Sequence, residues 1–136
     1  MDNPAPTEHD IHDLMTHRWS PRAFESRPVD KAALARCFEA ARWAPSSYNE
    51  QPWSFAVASR DDEEGYKKIL NCLIDFNQGW AKQADVLGIG ITAKRFQKND
   101  KPNAHDRHDL GMAMMSLALQ AQAEGLAMHM MAGFDA

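Results

Sequence analysis

Cysteine is scarce in this chain of 136 residues: Cys37 and Cys72 stand far apart and without metal-like spacing. A disulfide framework is thereby excluded, and a reduced, cytoplasmic setting fits. Basic residues are also in deficit. Lys and Arg total 15 against 19 Asp and Glu, a formal net charge of −4. No broad basic field exists to hold a nucleic-acid backbone, so a nucleic-acid partner is not expected. No apolar run approaches the roughly 18 residues that a membrane helix needs, so no membrane partner is expected either. The opening MDNPAPTEHD is acidic and polar and reads as neither a signal nor a transit peptide. Internal repeats and low-complexity tracts are missing. What remains, 44% hydrophobic and 25% charged residues, is the balance of a single soluble globular domain.

Residues 1–8, with two prolines and little apolar content, read as a flexible tail, and residues 9–136 as one domain. Ile11, Leu14 and Met15 predict a short amphipathic helix over 9–16. Residues 17–28, broken by Pro21 and Pro28, predict an ordered loop. Asp30 is placed to cap a helix over 31–44, in which Leu34, Cys37, Phe38 and Ala41 follow the i, i+3, i+4, i+7 pattern and Pro45 supplies the stop. A polar loop follows over 45–52, then a strand over 53–59. A helix with an acidic start is predicted over 61–75, a loop with a short helical turn over 77–84, and a central strand over 86–93. Residues 105–124 predict a long, buried helix, apolar nearly all round and closed by Gly125. A third strand is predicted over 126–131. Alternating helices and strands imply a layered α/β fold with helices on both faces of a sheet. Three strands are few for such a sheet, so either more strands exist or another chain completes the fold.

Three clusters invite chemistry. Arg18-Trp19-Ser20-Pro21-Arg22 sets two guanidiniums around a hydroxyl, a good anion site, since arginine donates bidentate charge-assisted bonds to phosphate. Taken alone, such a cluster is more often a surface loop with solvated arginines. Between Pro45 and Pro52, the hydroxyls of Ser46 and Ser47 and the amides of Asn49 and Gln51 stand on a backbone stiffened by proline. They suit the polar edge of a flat heterocycle, or an ordinary helix-to-strand connection. Met130-Met131-Ala132-Gly133-Phe134 combines soft apolar surface with a glycine that admits close backbone approach, or is a plain strand end.

Together, in this order, the clusters resemble the nitroreductase superfamily of flavoproteins. The most specific piece is the run from Ala41 to Trp53, ARWAPSSYNEQPW, and Arg18 to Phe24 is similar to the family's RRSxRxF opening with Trp19 in place of a basic or imidazole residue. The resemblance covers nearly everything from Leu14 onward. It implies a three-layer α/β (α+β) sandwich, a mixed and mostly antiparallel sheet flanked by helices. It also implies an obligate homodimer with FMN at the interface. The cofactor-binding residues it implies are Arg18, Trp19, Ser20, Arg22, Pro45, Ser46, Ser47, Asn49, Gln51, Met131, Ala132 and Gly133. In that arrangement the arginines and Ser20 meet the phosphate and pyrimidine side, and the loop after Pro45 lines the isoalloxazine, with Ser46 and Ser47 from either chain. The backbone of Ala132 and Gly133 approaches N5 and O4. Asn77 is a weaker match. The implied activity is hydride transfer from NAD(P)H through flavin N5 to an electron-poor acceptor such as a nitroaromatic or quinone. The cofactor carries the redox chemistry, so no side chain is assigned as catalytic acid or base.

The remaining signals point to structure. His9/His12 and His105/His108 sit at predicted helix starts among acidic residues expected from the dipole, and no metal site is assigned. Gly88 and Gly90 lack a following G-x-x-G helix start, so a dinucleotide fold is not indicated. Family members continue well past residue 136, which implies an exposed sheet edge and weakened FMN affinity here. The alternative function is therefore a truncated, non-catalytic dimeric relic that binds flavin weakly or not at all.

Overall fold

A computed structural model of the chain describes residues 4–135. Capping chemistry sets most of the helix starts. The short helix α1 (Asp13–His17) begins where His12 Nδ1 accepts from the Leu14 N–H at 3.1 Å. It starts later than the predicted 9–16, because the cap lies at His12 and Ile11 stays exposed. Upstream, the Ala5 N–H donates to the Thr16 carbonyl at 2.7 Å. The expected tail begins with residues 1–3, which lie outside the described residues.

Helix α2 (Lys31–Arg42) is capped by Asp30, whose carboxylate accepts from Ala32 and Ala33 N–H. It ends at Trp43, ahead of Pro45, as proline requires. Strand β1 (Trp53–Ser59) follows a single 3-10 turn over Ser47–Asn49. The helix predicted over 61–75 divides. Helix α3 (Glu63–Asn71), capped by Asp62, stops at Cys72 because Leu73 leaves to bridge Phe134. Helix α4 (Asp75–Ala81) then forms where a loop and one helical turn were expected, burying Asn77 and Ala81. Strand β2 (Val86–Thr92) and the long helix α5 (Asp106–Ala123) complete the order.

β1 and β2 pair antiparallel, Trp53 opposite Thr92 and Ser59 opposite Val86. Side-chain alternation sets Phe55 and Gly90 on the face toward α5, where a Cβ added at Gly90 would stand 3.1 Å from Leu110 Cδ1. The alternate face carries Ala58 and Leu87, both buried, and α3 packs across both strands. The core is the seam between α2 and α5. Cys37 and Ala41, one turn apart, meet Ala113, Leu117 and Ala121, while Phe38, Trp53, Phe55 and Met128 close around them. Small side chains at four-residue intervals let the two axes approach closely. Burial pushes the Cys37 thiol up, so it behaves as a core hydrophobe.

The third predicted strand does not form. Residues 126–131 run without ladder bonds among the described residues, and the sheet has two strands. Side chains anchor this segment instead: Leu126 and Met128 pack on the core, and His129 Nδ1 bonds the Pro21 carbonyl at 2.8 Å. Beside it lies an apolar cavity of about 960 Å³, lined among others by Phe24, Phe38, Phe55, Met114 and Met130.

The seam is locked at one end by an ion pair. Arg36 Nε and Nη2 each donate to Glu124 at 2.7 Å, and Gln120 adds a third bond. First the Arg36 bonds, then Gln120, hold the Glu124 carboxyl down at about 2, against an ordinary 4.5. A carboxyl depressed in the folded state contributes stability that is complete above its unfolded value and fades as pH falls toward the folded one. Glu124→Gln is therefore expected to lower the urea midpoint at pH 6, with the gap to wild type closing between about pH 4.5 and 2. Urea titrations across that range check it.

Candidate functional site

Arg18 follows α1 as its C-terminal cap and is half-buried, while Trp19, Ser20 and Arg22 are exposed. Among the described residues neither Arg18 nor Arg22 forms a salt bridge. Arg22 instead lies over the ring of Phe76, 5.5 Å from its centroid. Two uncompensated guanidiniums within five residues make a locally positive loop, suited to an anion.

This loop is tied to the tail turn through a relay that begins at Pro21. Its carbonyl accepts from His129, which fixes the proton on Nδ1, because a carbonyl can only accept. The His129 ring lies 4.4 Å from that of Trp80, which also stacks on Phe24 at 6.4 Å. Trp80 Nε1 donates to Asn77 Oδ1 at 3.2 Å, and Asn77 Nδ2 donates to the Gly133 carbonyl at 3.0 Å. The Ile74 N–H reaches the same carbonyl at 3.2 Å. Asn77 thus holds the turn. Gly133 is required there for space: a Cβ would stand 2.3 Å from Asn77 Nδ2 and 3.1 Å from Ile74 Cδ1. Met131 is half-buried against the cavity, and Ala132 is exposed.

The amide-rich loop is built differently. Tyr48, Asn49 and Gln51 all take left-handed backbone angles, φ 54°, 55° and 51°, without a glycine among them. Such conformations persist where surroundings over-determine them, and they collect at functional sites. Ser46 Oγ accepts the Gln51 N–H at 2.9 Å, and Gln51 Nε2 donates to the Arg42 carbonyl at 3.3 Å. Those side chains brace the loop itself. The Ser47 N–H donates to the Asp109 carboxylate at 3.0 Å. Pro45, Asn49 and the flanking Trp43 and Tyr48 face outward.

The first and third clusters are therefore linked through His129, Trp80 and Asn77, while the second is tied to the start of α5. No hydrogen bond or ion pair among the described residues joins residues 18–22 to residues 45–52. The cavity takes only Trp19 and Met131 from the twelve residues singled out, so it is not where their polar groups converge. Sequence reasoning missed His129, Trp80 and Asp109. A lone histidine in an apolar run and a carboxylate facing into an apolar helix were the available signals.

The sequence profile of the Nitroreductase family matches residues 15–136. An oxygen-insensitive NADPH nitroreductase from Helicobacter pylori is 33% identical over 82 residues, 60% of this chain and 38% of that protein. A Streptomyces coelicolor protein, named as an NADH dehydrogenase/NAD(P)H nitroreductase, is 31% identical over 86 residues, 63% of this chain and 42% of that one. The chain thus spans about two fifths of the length of these curated relatives. Among solved structures, an oxidoreductase containing FMN superposes with a TM-score of 0.90 at 38% identity, covering 98% of this chain and 69% of that one. A nitroreductase family protein from Clostridium difficile shares the fold, with a TM-score of 0.73 over 90% of this chain. The sandwich of helices around a small antiparallel sheet and the profile match over almost the whole length lead to one assignment: the chain belongs to the nitroreductase family.

Proposed function

We propose that the chain binds FMN and acts as an oxidoreductase, taking hydride from NAD(P)H and passing it to an electron-poor acceptor such as a nitroaromatic or quinone. The observation that carries this reading is the Arg18/Arg22 loop, without a salt bridge among the described residues, fastened to the Gly133 turn by His129, Trp80 and Asn77. The donor set suits the cofactor. Two guanidiniums and the Ser20 hydroxyl match a phosphate, and the Asn49 amide on a braced loop matches a heterocycle's polar edge. FMN, when bound, supplies the two-electron chemistry between nicotinamide and acceptor. The chain's residues bind and orient: the arginines hold negative charge, Asn77 fixes the Gly133 backbone, and the left-handed loop presents its amide without rearranging.

No hydrogen bond or ion pair among the described residues joins the two parts within one chain, which supports a homodimer whose interface brings one protomer's arginine loop to its partner's amide loop. Exposed apolar side chains flank both parts, Trp43 (74%) and Tyr48 (93%) at the amide loop and Phe76 (66%) at the other, as an interface would need. No helix of the described residues is long and apolar enough to cross a membrane. The free thiols of Cys37 and Cys72 support a cytoplasmic setting.

The purified protein is expected to be yellow or to turn yellow with FMN, to run as a dimer, and to bleach on anaerobic addition of NADH or NADPH. Absorbance spectra with sedimentation check this. Colourless protein that leaves FMN fluorescence unquenched would overturn the reading and leave a non-catalytic, flavin-free module.

A further inference from the structure

Asp109 is a carboxylate in an unusual place. It is 1% exposed, beside Ala113 and Leu110 on the inward side of α5, yet it pairs with no arginine or lysine among the described residues. One carboxylate oxygen accepts the Ser47 N–H at 3.0 Å, and among the described residues the other meets only His108 Nδ1, at a distant 3.5 Å. A buried carboxylate is costly unless its neighbours compensate it. The compensation here comes from the positive end of α5 and from one loop amide.

That amide belongs to the first residue of the 3-10 turn, directly before Tyr48 and Asn49 in left-handed conformation. Within the loop, Ser46 Oγ accepts the Gln51 N–H, and the Asn49 and Glu50 N–H groups donate to the Ser46 and Ser47 carbonyls at 3.0 and 3.1 Å. Its bond to Asp109 reaches across 62 residues of sequence and ties it to α5. The neighbouring buried carboxylate, Asp106, serves the sheet instead, bonding Thr92 Oγ1 at 2.7 Å. Two acids one turn apart thus have separate tasks.

We propose that Asp109 is the positioning residue of the amide-rich loop: by anchoring the Ser47 N–H it maintains the left-handed geometry through which the loop would grip FMN. The inference rests on the FMN reading above. Asp109→Asn keeps the shape but offers a neutral acceptor, roughly half as strong. In this variant the exchange rate of the Ser47 amide in cofactor-free protein and the dissociation constant for FMN both rise, each about three- to tenfold. Asp109→Ala raises both by more than about tenfold. Thr92→Val, which removes the other buried carboxylate contact of α5, lowers the melting temperature without changing either quantity. A purely structural role would instead make Asp109→Asn and Thr92→Val alike. If Asp109→Ala does not fold, Asp109→Asn decides. A folded Asp109→Asn with unchanged Ser47 exchange, or with unchanged FMN affinity, overturns the inference alone. Wild-type protein that takes up no FMN overturns the FMN reading, and this inference with it.

Discussion

Arg18→Ala weakens FMN binding by about 10- to 100-fold, the loss expected when a charge-assisted bond to an anion is removed. The reason lies in what surrounds the guanidinium. No carboxylate among the described residues neutralises it, so its charge is available to a ligand. It caps a five-residue helix, which fixes its backbone before binding. Arg22, held over Phe76, supplies a second charge and keeps the loss from being total. Arg18→Lys restores only part of the affinity, because an ammonium cannot make the bidentate contact. Fluorescence quenching of FMN at two ionic strengths gives the numbers, and raising the salt should narrow the gap between wild type and variant. In thermal melts, saturating FMN should raise the midpoint of the wild type and barely move that of Arg18→Ala. Equal stabilisation of both proteins would place the anion elsewhere.

Gly133→Ala is expected to cost about 1–3 kcal/mol of stability, a melting shift of roughly 5–10 °C, with a parallel loss of FMN affinity. Its φ is not the cause, since Gly133 is not among the residues with positive φ. A methyl group there would stand 2.3 Å from Asn77 Nδ2, so the amide must swing away and leave the Gly133 carbonyl. Asn77 is buried, and its Oδ1 also serves Trp80 Nε1, so two bonds are lost by one displacement. Asn77→Ala removes the obstacle along with the bond. The double variant Gly133→Ala/Asn77→Ala is therefore less destabilised than the sum of the singles, and a double-mutant cycle measures the coupling. Additive effects would show that the two residues do not share this contact.

The helices and strands were legible wherever local chemistry decides. Asp30 before KAALARCF and the alternation of WSFAVAS marked α2 and β1 to within a few residues. The split between α3 and α4 was not legible, because the break comes from Leu73 bridging Phe134, sixty residues away, and nothing in the local sequence announces it. Residues 126–131 have the composition of a strand, but strand formation needs a partner edge as well as propensity. Here His129 and Met128 fasten the segment through side chains. At the site, the clusters of donors could be read directly from residue type and order. The groups that hold them could not. In the sequence Asp109 reads as one of the acidic residues favoured by a helix dipole, and only its inward direction reveals the Ser47 bond. His129 and Trp80 became visible once folding had brought Pro21 beside the tail.

The amide loop leaves α2 and hangs from α5, so its shape depends on how far apart those two helices stand. That separation is set by side chains with almost nothing to spare: Cys37 at 1% exposure against Ala41 and Ala113, both at 0%. One extra methylene at Ala113 would press on Cys37 and Ala41 across the seam and wedge the two cylinders apart. The wedge would stretch Ser47 from its acceptor although no loop residue had changed. On the FMN reading, cofactor affinity would thus be tuned from the floor beneath the loop, and variants selected for altered flavin binding should arise there as well as among the residues that face the ligand.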